Sequence, residues 1–238
     1  MVSAPTGREA EWQRLLARLQ ARRPALLLVT GQPGSGRTTL LVTLAAVGPE
    51  LGYSVIGGQD AVTVDRTTRS SDLRRIVASA PGAAAQVPAE GKPQGRSFLR
   101  RIADLFTRPA SDEKAITRTL EAMAPAILVV DGYTPSRQMS WWFADRLVPR
   151  ILRSGSPILV VVADTPDSTT ALRGAATETI ELRPVSREAV EEQLRAAGHG
   201  LEPPVSGSEL AAYCEAVTND LSLLKPLEKI LSVLGQER

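Results

Sequence analysis

Three glycines within six residues, followed at once by a cation and two hydroxyls, make the most chemically pointed stretch of the chain: Gly31-Gln32-Pro33-Gly34-Ser35-Gly36-Arg37-Thr38-Thr39. It follows the apolar run Ala25 to Thr30 and opens a segment with helical spacing. In that setting glycines turn backbone N–H groups inward and the helix N-terminus adds positive potential, so the loop suits a phosphate. The Thr38 hydroxyl is then placed to hold Mg²⁺. The pattern fits G-x-x-x-x-G-K-[ST] except at Arg37, which stands where a lysine is usual. An ordinary glycine-rich turn is the plainer reading; the preceding strand, the spacing and the two threonines favour the phosphate. Arg37 bears on catalysis, because a planar guanidinium does not replace the compact charge that a lysine delivers between two phosphates. The nucleotide-binding candidates are therefore Gly31, Gln32, Pro33, Gly34, Ser35, Gly36, Arg37, Thr38 and Thr39.

A second candidate is Asp131, which ends the apolar run Ala126 to Val130. A carboxylate at the carboxyl end of a buried strand can take a Mg²⁺-bound water, and it joins Thr38 as a candidate metal ligand. A turn residue is the bland alternative. Asp131 and Arg37 are the catalytic candidates, yet Gly132 occupies the position where many ATPases carry the glutamate that polarises water. No general base is evident. A third strand ends at Asp164-Thr165, where either side chain is a candidate sensor of a terminal phosphate and a turn before Pro166 is the equal alternative.

These residues need a particular scaffold. Unalternated apolar runs recur at Tyr53 to Ile56, Pro157 to Ala163 and Thr179 to Leu182, which predicts a sheet covered on both faces. Helical patterns lie between the strands, at Thr38 to Ala46, Asp72 to Ser79, Ser97 to Phe106, Glu113 to Ala122 and Ser140 to Leu152, and Glu9 to Gln20 precedes them. Strands alternating with helices predict an α/β fold with a mainly parallel sheet. After Leu182 only helices are expected: Ser186 to Ala197, capped by Ser186 and stopped at Gly198, then Gly207 to Ala216 and Leu221 to Leu234. The expected division is a core over 1–182 and a helical lid over 183–238, with a loop at Pro81 to Gly95.

Composition narrows the classes. The 238 residues are 43% hydrophobic and carry a net charge of +2, which excludes a disordered chain and a polycation. One cysteine, Cys214, and one histidine, His199, exclude an intrachain disulfide and make a zinc site or a histidine triad a poor expectation. Apolar runs fall short of a membrane span and the N-terminus lacks a signal-peptide core, so a soluble, cytoplasmic protein is expected. Arginine outnumbers lysine 24 to 4, which points to a GC-rich bacterial coding bias. Between Arg66 and Arg108 nine bases face three acids, a local +6, whereas Glu181 to Arg238 holds ten acids against six bases. The basic segment is a candidate surface for nucleic acid or for self-association with the acidic end, against the commoner reading of a solvated helix face. Of Trp141 and Trp142, one is a candidate for the core and the other for a partner contact, against the commoner outcome of core packing for both.

Taken in order, Gly7-Arg8-Glu9, the loop Gly31 to Thr39, the strand Ile127 to Asp131 and the junction Ile180 to Glu188 resemble the additional-strand P-loop ATPases. Among them they are similar to the STAND class of signalling NTPases, relatives of the AAA+ proteins. Thr218 to Leu223 resembles the lid turn of that class. The resemblance implies a three-layer P-loop NTPase with a five-stranded sheet of order 5-1-4-3-2 and a small C-terminal helical lid. It implies ATP or ADP with Mg²⁺ as cofactors, Arg8 near the nucleotide base, and a protein partner or self-association. Arg37, Gly132 and a lid turn without its proline depart from the family pattern. The expected function is a nucleotide-dependent signalling switch or assembly scaffold with weak or absent hydrolysis. An active P-loop ATPase or small-molecule kinase is the first alternative, and a DNA-binding regulator the second.

Overall fold

The computed structural model describes residues 4–5, 7–57, 62–81, 83, 112–197, 207–219, 223, 226–227 and 229. Helix α1 (Glu9–Ala21) leads into β1 (Ala25–Gly31) and α2 (Arg37–Val47), followed by β2 (Ser54–Ile56), β3 (Val62–Val64) and α3 (Ser70–Ser79). After α4 (112–122) come β4 (Ala126–Tyr133), α5 (Arg137–Trp142), a π-helical turn at Phe143–Leu147, and α6 (Val148–Arg153). Next come β5 (Ile158–Asp164), β6 (Glu178–Leu182), α7 (Arg187–Ala197) and α8 (Gly207–Asn219). The expected helices at Ser97 to Phe106 and Leu221 to Leu234 lie wholly or largely outside the described residues, as do most of the Pro81 to Gly95 loop and the residues Arg96 to Arg108.

Every strand pairing is parallel, and the sheet runs β2-β4-β5-β1-β6. Read in the order of the five expected strands, this path is 5-1-4-3-2. The departure is a sixth strand: β3 also pairs with β4, continuing past the end of β2 along the same edge. Three residues with Thr63 exposed are too short a run to give a periodic signal.

The central strands are apolar without alternation because each face carries its own layer. Leu27, Val29, Ile127, Val129, Leu159 and Val161 pack with Trp12, Leu15 and Leu19 of α1 and with Leu40, Leu41 and Leu44 of α2. Leu26, Leu28, Leu128, Val130, Val160 and Val162 pack with α3, α4, α5 and α6. The result is a three-layer sandwich. Helices α7 and α8 form a separate small core of Val185, Val190, Leu194, Cys214 and Val217. Ser186 accepts a hydrogen bond from the Ala189 N–H at 3.2 Å at the start of α7, and the expected stop at Gly198 lies outside the described residues. Among the described residues no helix is long and apolar enough to cross a membrane.

Candidate functional site

Parallel topology brings the carboxyl ends of β1, β4 and β5 side by side, and the chemistry-bearing residues sit there. Register fixes the arrangement: Thr30 of β1 pairs with Asp164 of β5, and Ala163 pairs with Asp131 of β4. Beyond β1 the loop turns through Gly36, whose φ of +85° is a left-handed conformation that side-chain-bearing residues rarely adopt. Gly36 is the N-cap of α2 and offers no side chain to its free N–H groups, nor does an acidic residue occupy the first turn. The helix end therefore keeps its positive potential.

Two consecutive residues of that first turn reach two different strands. Thr38 Oγ1 donates to Asp131 Oδ2 at 2.6 Å. Arg37 Nη1 donates to Asp164 Oδ1 at 3.3 Å, an ion pair with side chains 17% and 10% exposed. Asp164 Oδ1 also accepts the Thr165 N–H at 2.6 Å, whereas Asp164 Oδ2 is buried with no hydrogen-bond partner. The sequence offered Asp164 or Thr165 as a terminal-phosphate sensor, with a turn before Pro166 as the equal alternative, and did not link Asp164 to Arg37. A buried carboxylate facing a long cation needs the fold before it can be paired.

Within the loop, Gln32, Pro33, Gly34 and Thr38 are exposed while Gly31 and Ser35 are buried. A side chain at Gly31 would meet Ser35 Oγ at 2.5 Å, and that hydroxyl, buried, has no hydrogen-bond partner. Thr39 accepts the Thr43 hydroxyl through its carbonyl at 2.9 Å, a bond internal to α2. Arg8 is buried, donates from Nη2 to the Ser35 carbonyl and pairs through Nη1 with Glu11 at 3.3 Å, while its Nε finds no partner. The bond to Ser35 ties it to the loop backbone. A Cβ at Gly7 would meet Val185 Cγ1 at 2.7 Å, so the segment before α1 touches both the loop and the junction to α7.

Gly132 is more than a missing acid. Its φ is +76°, and across it β3 advances two residues, from Val62 to Val64, while β4 advances three, from Val130 to Tyr133. This is a β-bulge, and it reverses the side-chain alternation. Without it Tyr133 would share a face with Ile127 and Val129; with it Tyr133 is fully buried in the opposite layer, 5.4 Å from the Phe143 ring. Burial pushes the Tyr133 hydroxyl up to about 12. A glycine directly after a strand-ending carboxylate was the available signal for that bulge.

The other sequence candidates fall elsewhere. Trp142 is buried, while Trp141 is 51% exposed under the Arg146 guanidinium at 5.1 Å and borders a groove of about 730 Å³ that also includes Arg66, Arg137, Asp145 and Asp167. Arg74 of the basic segment pairs with Asp112 at 3.0 Å. Arg100 and Arg101 lie outside the described residues. Thr218 and Asn219 are the last residues of α8. No cluster of three or more metal-binding side chains occurs among the described residues.

No curated protein sequence matches the chain. Among solved structures it is similar to the AMPPCP-bound DnaA of Aquifex aeolicus, at 12% identity and a TM-score of 0.55, over 100% of this chain and 65% of that one. It is also similar to a chain of the HORMA:CdnC:Trip13 complex of E. coli MS115-1, at 16% identity and a TM-score of 0.52, over 98% and 89% of the two chains. The chain thus spans just under two thirds of the DnaA chain that it matches, and at these identities the likeness concerns the fold. The family model described as AAA ATPase domain matches residues 4–162, which contain the loop, Asp131, Gly132 and the first strands of the sheet. The chain belongs to the AAA ATPase domain family.

Proposed function

We propose that this AAA ATPase domain is a STAND-class nucleotide switch or assembly scaffold that binds ATP or ADP with Mg²⁺ and hydrolyses ATP weakly or not at all. The observation that carries this reading is the division of labour in the first turn of α2, where Thr38 is ready for a metal and Arg37 is committed to Asp164. The uncapped helix N-terminus and the buried, partnerless Ser35 hydroxyl suit a phosphate in the cradle of Gly31 to Thr39. Thr38 and Asp131 form a pair of oxygen donors that fits a hard cation keeping several waters. When bound, Mg²⁺ neutralises charge on the phosphates. The chain's own residues hold the phosphate through backbone N–H groups and orient the metal.

Hydrolysis needs two further services. Arg37 would have to leave Asp164 to stabilise a developing charge, and stranding a buried carboxylate costs about 3–5 kcal/mol when the pair is fully buried, less here because Arg37 retains some solvent contact. At Gly132 the left-handed backbone disfavours the usual acid. The backbone cradle for the inner phosphates is left intact by both features, since the Arg37 side chain and Gly132 occupy none of its N–H groups. In this reading α7 and α8 are the lid, hinged at the junction that Gly7 touches, and the boundary between core and lid falls near residue 182. Calorimetry of ATP and ADP with and without Mg²⁺, with analysis of nucleotide extracted from the purified protein, tests it. Binding of either nucleotide, tightened by Mg²⁺, is expected; no affinity for either removes the reading.

A further inference from the structure

If the loop holds a nucleotide, as proposed, the Arg37–Asp164 pair bears on which one, and the inference rests on that reading. In a phosphate loop the backbone N–H groups and the helix N-terminus serve the inner phosphates, while the side chain at the Arg37 position serves the terminal one. Here that side chain already has an anion. Asp164 is 7% exposed, and its register partner is Thr30, the residue immediately before Gly31, so its carboxylate lies at the mouth of the loop. One of its oxygens holds Arg37 and the Thr165 N–H, and the other is buried and partnerless. An ionised carboxylate only accepts hydrogen bonds, so it offers a phosphate oxygen nothing.

We propose that Asp164 is a specificity-determining residue that makes the site select a nucleoside diphosphate over a triphosphate, by occupying Arg37 in place of the terminal phosphate. A diphosphate uses the loop backbone, Thr38 and Asp131, and leaves the pair intact. A triphosphate either takes Arg37 and strands a buried carboxylate, or leaves the pair and sets its most charged group beside Asp164 without a dedicated cation. Both routes penalise the third phosphate alone. Asp164→Asn keeps the shape, cannot hold Arg37 by charge and gains an N–H donor, so it releases Arg37 and removes the repulsion together.

The test is calorimetric titration of ADP, and of an ATP analogue with a non-hydrolysable β–γ bridge, into the parent protein and into Asp164→Asn, each with Mg²⁺. The parent is expected to bind ADP about tenfold or more tightly than the analogue, and Asp164→Asn to bring the ratio near one, mostly by tightening the analogue. Equal affinities in the parent overturn the proposal while the nucleotide-binding reading stands, and so does an unchanged ratio in the variant. Failure of the parent to bind either nucleotide overturns both. The parent ratio needs no variant, and Asp164→Ser replaces the asparagine if that protein does not fold.

Discussion

Thr38 Oγ1 lies 2.6 Å from Asp131 Oδ2, joining the first turn of α2 to the end of β4 across 93 positions of sequence. Mg²⁺, if bound there, would be held by the Thr38 oxygen and, through a bound water, by the Asp131 carboxylate. Thr38→Ala or Asp131→Asn should therefore weaken Mg²⁺-dependent nucleotide affinity about tenfold or more while leaving the metal-free affinity nearly unchanged. Titrations with and without Mg²⁺ check this, and equal losses in both conditions would assign the two residues a structural part only.

The loop backbone should be indispensable. At Gly36, φ is +85°, and valine adds both left-handed strain and a Cβ on the surface that a phosphate must approach. Gly36→Val is expected to abolish nucleotide binding with the circular dichroism of the folded protein retained. Unchanged affinity in a folded variant would remove the phosphate-loop assignment.

Installing an acid after Asp131 should not rescue hydrolysis. Gly132→Glu, alone or with Arg37→Lys, forces a φ near +76° on a residue with a Cβ at a cost of about 1–2 kcal/mol, or straightens the bulge and moves Tyr133 out of its layer. The expected result is a melting temperature lowered by a few degrees and no gain in turnover. Thermal melts and phosphate release on the same preparations decide it.

Glu178 ties β6 to α1 through Arg14 at 2.7 Å and Arg18 at 2.6 Å. Partial burial pushes its pKa up, but the hydrogen bonds and charges of the two arginines outweigh this and hold it below the usual carboxylate range. A depressed folded pKa gives stability that is complete above the unfolded pKa and fades as pH falls through the folded one. Glu178→Gln should lower stability by about 1 kcal/mol or less near neutral pH, a difference that shrinks in acid. Urea unfolding at neutral and acid pH tests both the size and the sign.

Much of the architecture was legible in the chain before its fold was known. β1, β4 and β5 were readable because burial on both faces leaves uninterrupted apolar runs such as Leu26 to Val29, and the loop because its glycines and threonines stand at fixed spacing. β3 was not readable, since its three residues are placed by pairing with β4 and carry no pattern of their own. Thr38 and Asp131 were foreseen as partners because strand ends in a parallel sheet converge. Arg37 and Asp164 were singled out separately, and only the register of β5 beside β1 shows that each neutralises the other. For Arg8 the sequence pointed to the nucleotide base; its bond from Nη2 to the Ser35 carbonyl is a backbone contact that sequence does not announce.

Binding without efficient turnover is read out by steady-state phosphate release from ATP with saturating Mg²⁺. With Arg37 held by Asp164 and a glycine after Asp131, turnover should fall orders of magnitude below the ~1–100 s⁻¹ of competent phosphoryl-transfer enzymes. Turnover of the parent protein within that range would contradict the switch reading and favour an active enzyme.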